Sequence, residues 1–315
     1  MSKTVPISLI IDDGGVVNTF SYHDLAHYHE QLIPPAMAML FGKVCEKYGV
    51  RGKFSVIPVP CCLGRLDEPE KINHVPAENV RTFVEYAKKY IAPRFSITPE
   101  LLTHFLAWND ERRKGIHYCE DTFISRCSAE EIADYLSIGL KILDNIGLTP
   151  KGVSSPWSTG SDNEENYSKG IGMAFKRTFG VDRTFYFLHS SGEKTFTKPR
   201  EMCNSPETGR VITVPNNCRD AYWGSQNPAT YGEAVASVRD GIDSLLTADG
   251  KSGTLRELYE ADEPMVMITH WQSLYSDGRL IGLDGFEELL QRVQKTFGSN
   301  VEWMNFEEIS KHYCP

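Results

Sequence analysis

The fold is decided by one segment near the start of this 315-residue chain, Leu9-Ile10-Ile11-Asp12-Asp13-Gly14-Gly15. Its apolar residues are typical of a buried strand. Two adjacent carboxylates are not, because an ionised group in an apolar core loses its hydration. At the C-terminal end of a strand they can instead face a cleft and bind a cation. A second apolar run, Met265 to Thr269, ends in His270-Trp271. The sequence therefore places metal-binding or proton-transferring side chains at two strand ends.

Alternating strands and helices predict the architecture. Seven short apolar or β-branched segments are predicted strands, and an eighth is predicted near residues 94–97. The seven are residues 7–11, 53–59, 152–156, 184–188, 211–214, 265–269 and 301–305. Helical patterns separate them, and strands that alternate with helices pair in parallel through right-handed crossovers. We expect a single α/β domain over residues 1–315, a distorted (β/α)7–8 barrel with parallel strands and helices outside. An open doubly wound sheet is the alternative.

Local signals locate several helix boundaries. Capping boxes at Ser128 to Glu131 and Thr230 to Glu233 predict two helix starts. Asp284 is predicted to cap a helix that ends at Gly298. The stretch 105–126 has no clear periodicity and is predicted to be a long irregular loop, of a length that is more often functional than idle.

Composition narrows the range of partners. With 33 basic against 42 acidic residues, the net charge is −9, which disfavours nucleic acid and anionic membrane surfaces. No apolar stretch reaches the ~20 residues of a membrane span, and no signal-like apolar region opens the chain. The eight cysteines form no C-x-x-C pair, as expected for free thiols in a reduced compartment. We expect a cytoplasmic protein that acts on a small molecule or a carbohydrate.

The ordered set of segments resembles the polysaccharide deacetylase superfamily, the NodB-homology carbohydrate esterases. An apolar strand followed by Asp-Asp-Gly, as in residues 9–14, is similar to the first motif of that family. Residues 52–58 resemble its second strand, residues 128–132 the helix after its metal-binding histidines, and residues 268–270 its last, histidine-bearing motif. The resemblance covers most of the chain and implies a deformed (β/α)7-type barrel and a metal-dependent hydrolase.

The resemblance also implies roles for individual residues. Asp12 would be the general base and Asp13 a metal ligand. His270 would be the general acid, or would stabilise charge that develops on the leaving group or oxyanion. His104 matches the first metal-binding histidine of the middle motif. The implied cofactor is a divalent metal ion, with zinc as the first expectation and nickel, cobalt or manganese as alternatives.

Two motif positions depart from the family. Four residues after His104 stands Trp108, so the second histidine is missing, and His117 in the same long loop is the predicted substitute. The arginine that orients the base is also missing from residues 152–157, and Arg219 is a candidate replacement.

Aromatic residues at strand ends are candidates for substrate binding. Trp157 follows the strand at residues 152–156, and Trp271 directly follows His270. Both are predicted to line the substrate site, because aromatic faces suit sugar rings and other flat apolar groups. A position in the core is the alternative for either residue.

Three functions remain open at this stage. The first is hydrolysis of C–N or C–O acyl bonds in a carbohydrate or small amide, with the metal lowering the pKa of water from ~15.7 toward ~7. The second is a glycoside hydrolase that uses two carboxylates, Asp12 or Asp13 with Asp220 or Glu100. The third is a catalytically inactive carbohydrate-binding protein on the same scaffold. No phosphate-binding glycine loop and no G-x-S-x-G occurs in the sequence.

Overall fold

The computed structural model describes residues 4–23, 32–189, 198–226 and 230–315. The strands of this part of the chain are β1 (Val5–Gly14), β2 (Gly52–Val56), β3 (Phe95–Pro99), β4 (Leu106–Asn109), β5 (Lys114–Cys119), β6 (Gly152–Ser154), β7 (Arg183–Phe187), β8 (Arg200–Ser205), β9 (Gly209–Thr213), β10 (Met265–His270) and β11 (Val301–Trp303). The helices are α1 (Thr19–His23), α2 (Ala36–Tyr48), α3 (Ala77–Tyr86), α4 (Glu120–Ile124), α5 (Ala129–Asn145), α6 (Glu164–Phe179), α7 (Tyr231–Leu245), α8 (Thr254–Ala261), α9 (Trp271–Tyr275), α10 (Ile281–Phe297) and α11 (Phe306–Tyr313). None of these helices is long and apolar enough to cross a membrane.

Among the described residues, seven parallel strands form the barrel wall, and an eighth, β11, pairs in parallel with the start of β1. One sheet has the order β10-β1-β2-β3, with β11 beside β1, and the other has β6-β7-β9 with antiparallel β8 at its edge. A parallel bridge between Glu100 and Ser154 connects the two sheets after β3. On the opposite side, Asn217 after β9 donates its backbone N–H to the carbonyl of Val266 in β10. The predicted distorted barrel of parallel β/α units with outer helices is confirmed.

Strand β1 lies at the centre of this wall and is buried along its whole length. Its side chains alternate between two cores, as the two-residue period of a strand requires. Ile7, Leu9 and Ile11 pack in the large core beneath the helices. Ile10 packs inside the barrel. Burial on both faces explains why this strand is a continuous apolar run rather than an alternating one.

All eight predicted strands are present, and the local helix signals have mixed outcomes. Ser128 and Thr230 form the predicted capping boxes of α5 and α7. Gly298 follows the last residue of α10, but that helix begins at Ile281, so the prediction that Asp284 caps it is wrong. The helix starts earlier because the Gly282 N–H bonds the Ser276 hydroxyl and the first turn is buried. The stretch predicted to be irregular contains the β4–β5 hairpin and α4.

Candidate active site and metal centre

One cleft of about 460 Å³ opens at the C-terminal ends of the barrel strands. Residues that follow β1, β3, β6, β7, β9 and β10 all contribute to its wall. Barrels of parallel β/α units keep their catalytic groups at this end, where the loops from several strands meet.

A break in β1 gives the two adjacent aspartates different positions relative to the cleft. A regular strand would direct their side chains to opposite faces. Asp13 instead has a left-handed backbone, with φ of 62°, and the pairing of β1 with β2 shifts between Ile11 and Gly14. Aspartate tolerates this conformation better than most non-glycine residues. The break brings Asp13 to the cleft wall, while Asp12 stays buried behind it.

Three side chains converge as a candidate metal centre. His104 Nε2 lies 3.4 Å from Asp13 Oδ1 and 3.6 Å from Glu100 Oε1. One ligand atom from each of the three residues lies within 4.8 Å of the other two. Carboxylate oxygens with an imidazole nitrogen are a donor set that divalent cations use in proteins.

Hydrogen bonds hold the other oxygens of both carboxylates. Glu100 Oε2 accepts the Ser55 hydroxyl at 2.6 Å and the Asp13 backbone N–H at 2.7 Å. Asp13 Oδ2 accepts the Gln272 amide at 2.6 Å. Outer bonds of this kind orient the ligands of a metal, so each carboxylate presents one oxygen toward His104.

Electrostatics also favours a cation at this position. Burial, together with the charges of Asp12 and Asp13, raises the pKa of Glu100 well above its ordinary value. Ionising Glu100 costs free energy because like charges are then placed close together away from water. A divalent cation would offset it directly. The three residues therefore fit a metal ion both in donor chemistry and in charge.

A buried glutamate places the turn that carries His104. Glu120, the first residue of α4, accepts the backbone N–H groups of Leu102, Thr103 and His104 and the hydroxyl of Tyr135. Burial, opposed by these hydrogen bonds, raises the pKa of Glu120 to about 7. The glutamate satisfies three backbone donors that would otherwise be costly to bury.

His270 is held by Asp220. The His270 Nδ1 lies 2.8 Å from Asp220 Oδ2, and the same oxygen accepts the His270 backbone N–H at 3.1 Å. Burial opposes the charged ring, but the hydrogen bond and charge of Asp220, assisted by Asp13 and Asp12, raise the pKa of His270 to about 9. The imidazole is therefore protonated at neutral pH and can donate a proton.

Asp12 forms a buried ion pair with Lys53 of β2. The Lys53 ammonium contacts Asp12 Oδ1, and both side chains are shielded from solvent. The ammonium also lies 4.8 Å from the ring centroid of Phe187. Lys53 therefore places a positive charge beside Asp12, where the resemblance implied an arginine that the sequence lacks. The suggested replacement, Arg219, is exposed.

Lys53→Met is expected to lower the free energy of unfolding by about 3–5 kcal/mol, because it leaves the Asp12 carboxylate buried without its cation. Urea denaturation of the metal-free protein measures this. Adding Asp12→Asn to the same variant should recover most of the loss, because the uncompensated charge is then removed. If the free energy of unfolding of Lys53→Met alone lies within about 1 kcal/mol of wild type, the ion pair does not contribute strongly to stability.

Two sequence predictions need correction. Trp271 is fully buried, with its ring packed edge-on against Phe41 and Phe54 and its Nε1–H donated to the Gly15 carbonyl. It is a core residue and does not line the cleft. His117 lies on the exposed strand β5 and is not part of the Asp13–Glu100–His104 group. The long loop folds into a hairpin that holds this histidine away from the group.

The remaining predicted residues lie at or directly behind the cleft. Asp13, His104, His270 and Trp157 line it, and the Trp157 ring lies 4.4 Å from that of His104. Asp12 lies behind the wall. The roles assigned to these residues stay predictions.

Sequence reasoning missed three contributions. Glu100 stands four residues before His104, so the neighbouring carboxylate of the three-residue group lies before the histidine and not after it. The Glu-x-x-x-His spacing was a usable signal, although Glu100 was considered only as a glycosidase carboxylate. Lys53 and His189, a residue of the cleft wall just after β7, were missed because each meets Asp12 through a contact between strands far apart in sequence.

Comparisons with solved structures identify the same fold. A protein assigned as a polysaccharide deacetylase from Mycobacterium smegmatis matches with a TM-score of 0.59 and 12% identity, over 99% of this chain and 91% of that one. One from Pseudomonas aeruginosa PAO1 gives 0.53 and 10%, over 99% and 91%. A 4-alpha-glucanotransferase from Thermococcus litoralis gives 0.50 and 11%, over 99% of this chain and 41% of that one.

The likeness is one of fold. No protein-family model matches the sequence, and no curated protein matches it. The resemblance seen in the ordered motifs is confirmed as a shared barrel fold. The sequence has diverged from these two deacetylases to 10–12% identity.

Proposed function

We propose that this protein is a metal-dependent hydrolase of C–N or C–O acyl bonds, similar in chemistry to the deacetylases whose fold it shares. The observation that carries the proposal is the placement of two groups on one cleft. A candidate metal centre, Asp13, Glu100 and His104, shares the cleft with His270, whose ring is held by Asp220.

Asp13, Glu100 and His104 would hold the cation. When bound there, a divalent metal would lower the pKa of water toward ~7 and polarise the acyl carbonyl. The single imidazole is compatible with zinc, and the two carboxylates also suit manganese. Ser55 and Gln272 hold the second oxygens of the carboxylates, which fixes the ligand oxygens before substrate arrives.

His270 would supply the proton that the leaving group needs. Its Nδ1 is committed to Asp220, which leaves Nε2 as the donor. Expulsion of an amine or alkoxide is difficult without such a proton, and a positioned acid contributes about 10²–10⁴-fold to the rate.

The substrate we propose is a carbohydrate or a small amide. Trp157 is partly exposed on the cleft wall, with Phe20 and Trp223 contributing two further aromatic faces. Aromatic faces of this kind pack against sugar rings and flat apolar groups.

The test begins with wild-type protein purified without chelator or metal-affinity resin. We expect about one divalent metal per chain by elemental analysis, in line with a single centre. We also expect release of acid and amine or alcohol from a panel of N-acetyl sugars, acetyl esters and small amides. Chelation should abolish turnover, and added metal should restore it. A protein that neither contains nor takes up metal, or that releases reducing sugar from glycosides, would contradict the proposal.

A further inference from the structure

The cleft wall contains a histidine that could act as general base, the role that the family resemblance assigns to Asp12. His189, just after β7, lines the cleft with 24% of its side chain exposed. Asp12 is not among the described residues of the cleft wall, and its side chain is 1% exposed. A general base must come within hydrogen-bond reach of the water proton that it removes, and His189 is better placed for this than Asp12.

The two oxygens of Asp12 have different surroundings. Oδ1 contacts Lys53 and lies 3.4 Å from the Ser55 hydroxyl. Oδ2 has no hydrogen-bond partner among the described residues and lies 3.5 Å from His189 Nε2. That separation is longer than a hydrogen bond, but catalytic pairs are often looser before substrate binds. Lys53 and Ser55 therefore hold the carboxylate with its second oxygen facing the imidazole.

We propose that His189 is the general base of this site and that Asp12 orients it. This rests on the proposed function and refines it by moving the proton-accepting role from Asp12 to His189. With Nε2–H directed at Asp12, the lone pair of the neutral ring is on Nδ1. The arrangement has the aspartate–histidine logic by which a buried carboxylate fixes the tautomer of a catalytic imidazole.

A second aspartate–histidine pair stands opposite the first. The rings of His189 and His270 are nearly parallel, at 13°, with centroids 6.4 Å apart. Burial lowers the pKa of His189 to about 4 despite the charge of Asp12, whereas that of His270 is raised to about 9. One ring is thus neutral and the other protonated at pH 7, and such a divergence separates base from acid.

The proton transfers balance. Nδ1 of His189 takes a proton from water as the water oxygen bonds to the acyl carbon and the carbonyl electron pair moves to oxygen. When the intermediate collapses, the acyl C–N or C–O bond breaks and its electron pair leaves with the nitrogen or oxygen. That atom receives a proton from His270. One water is consumed, an acid and an amine or alcohol are formed, and solvent exchange resets both rings.

The test compares His189→Gly and His189→Gln with His117→Ala, a control at the exposed histidine of β5. We expect both His189 variants to keep their metal and to lose about 10²–10⁴-fold in kcat. Added imidazole should partly restore the glycine variant, which a structural role for His189 would not allow. The control should match wild type. Turnover of either His189 variant within a few-fold of wild type, failed rescue, or metal loss in both variants would overturn the assignment.

A second readout does not require turnover. Nitrogen-15 NMR of the zinc-loaded wild type should show His189 neutral at pH 7 with its proton on Nε2, and Asp12→Asn should weaken that preference. A proton on Nδ1 in the wild type would overturn the dyad. Absence of acyl hydrolysis in wild type would instead contradict the proposed function, and this measurement would still decide the dyad.

Discussion

Glu100→Gln is expected to remove bound metal and turnover together, with metal affinity falling by more than the roughly 10–100-fold typical of losing an outer-shell partner. The substitution keeps the shape of the side chain but replaces a charged ligand by a neutral amide. Calorimetric titration of the metal-free protein with manganese and zinc measures the affinity, and elemental analysis measures occupancy. Glu165→Gln, a substitution at an exposed glutamate of α6, is the matched control and should bind metal like wild type.

In the metal-free protein, Glu100→Gln is expected to increase the stability of the fold. Because the pKa of Glu100 is raised in the folded state, its ionisation destabilises the fold above the pKa of the unfolded chain, near 4.3. The stability from this group is therefore complete below that value and is lost as pH rises from it through the raised folded-state pKa. Glu100→Gln should accordingly be more stable than metal-free wild type at pH 7. Retained metal affinity, or a destabilised metal-free variant, would count against the assigned centre.

His270→Ala is expected to lower kcat by about 10²–10⁴-fold while metal content stays at the wild-type level. The reason is that His270 supplies a proton and is not part of the three-residue metal group. His312→Ala changes an exposed histidine of α11 and is the control. Loss of metal in His270→Ala alone would indicate a ligand role and contradict the assignment.

The pH profile tests the same role. The active form of His270 is protonated, so kcat/KM in wild type should fall as pH rises through about 9. Asp220→Asn removes the hydrogen-bonded charge that keeps the proton on the ring, and the basic limb should then move toward the ordinary histidine value of about 6.5. A limb that stays near 9 in Asp220→Asn would show that another group sets it.

Local patterns were sufficient for the fold, because strands and capping boxes depend on neighbouring residues. The continuous apolar run of β1 and the box at Ser128 both predict what is observed. Position at a strand end was a weaker guide to the site. Trp157 and Trp271 each follow a strand, but only Trp157 faces the cleft, because α9 turns Trp271 into the core.

Contacts between residues that are far apart in sequence could not be predicted in the same way. Lys53 is an unusual residue for the interior of a buried strand, and only its register opposite Ile10 places it beside Asp12. His189 follows an ordinary aromatic strand and gains its neighbour across the barrel. The first contact with Asp12 arises from the register of the neighbouring strands β1 and β2 and the second from contact across the barrel, and a single sequence encodes neither locally.

Glu120 closes the β4–β5 hairpin at its base. The Glu120 backbone N–H bonds the Phe105 carbonyl at 2.9 Å, so the excursion through the hairpin leaves and returns at one point. The Glu120 carboxylate then fixes His104 from that same point. Trp108 of the hairpin belongs to the same support, because its backbone N–H bonds the Tyr135 hydroxyl that Glu120 also accepts. An engineer could exchange the exposed tip, residues 111–114, while the buried Ala107 and Trp108 keep this support in place.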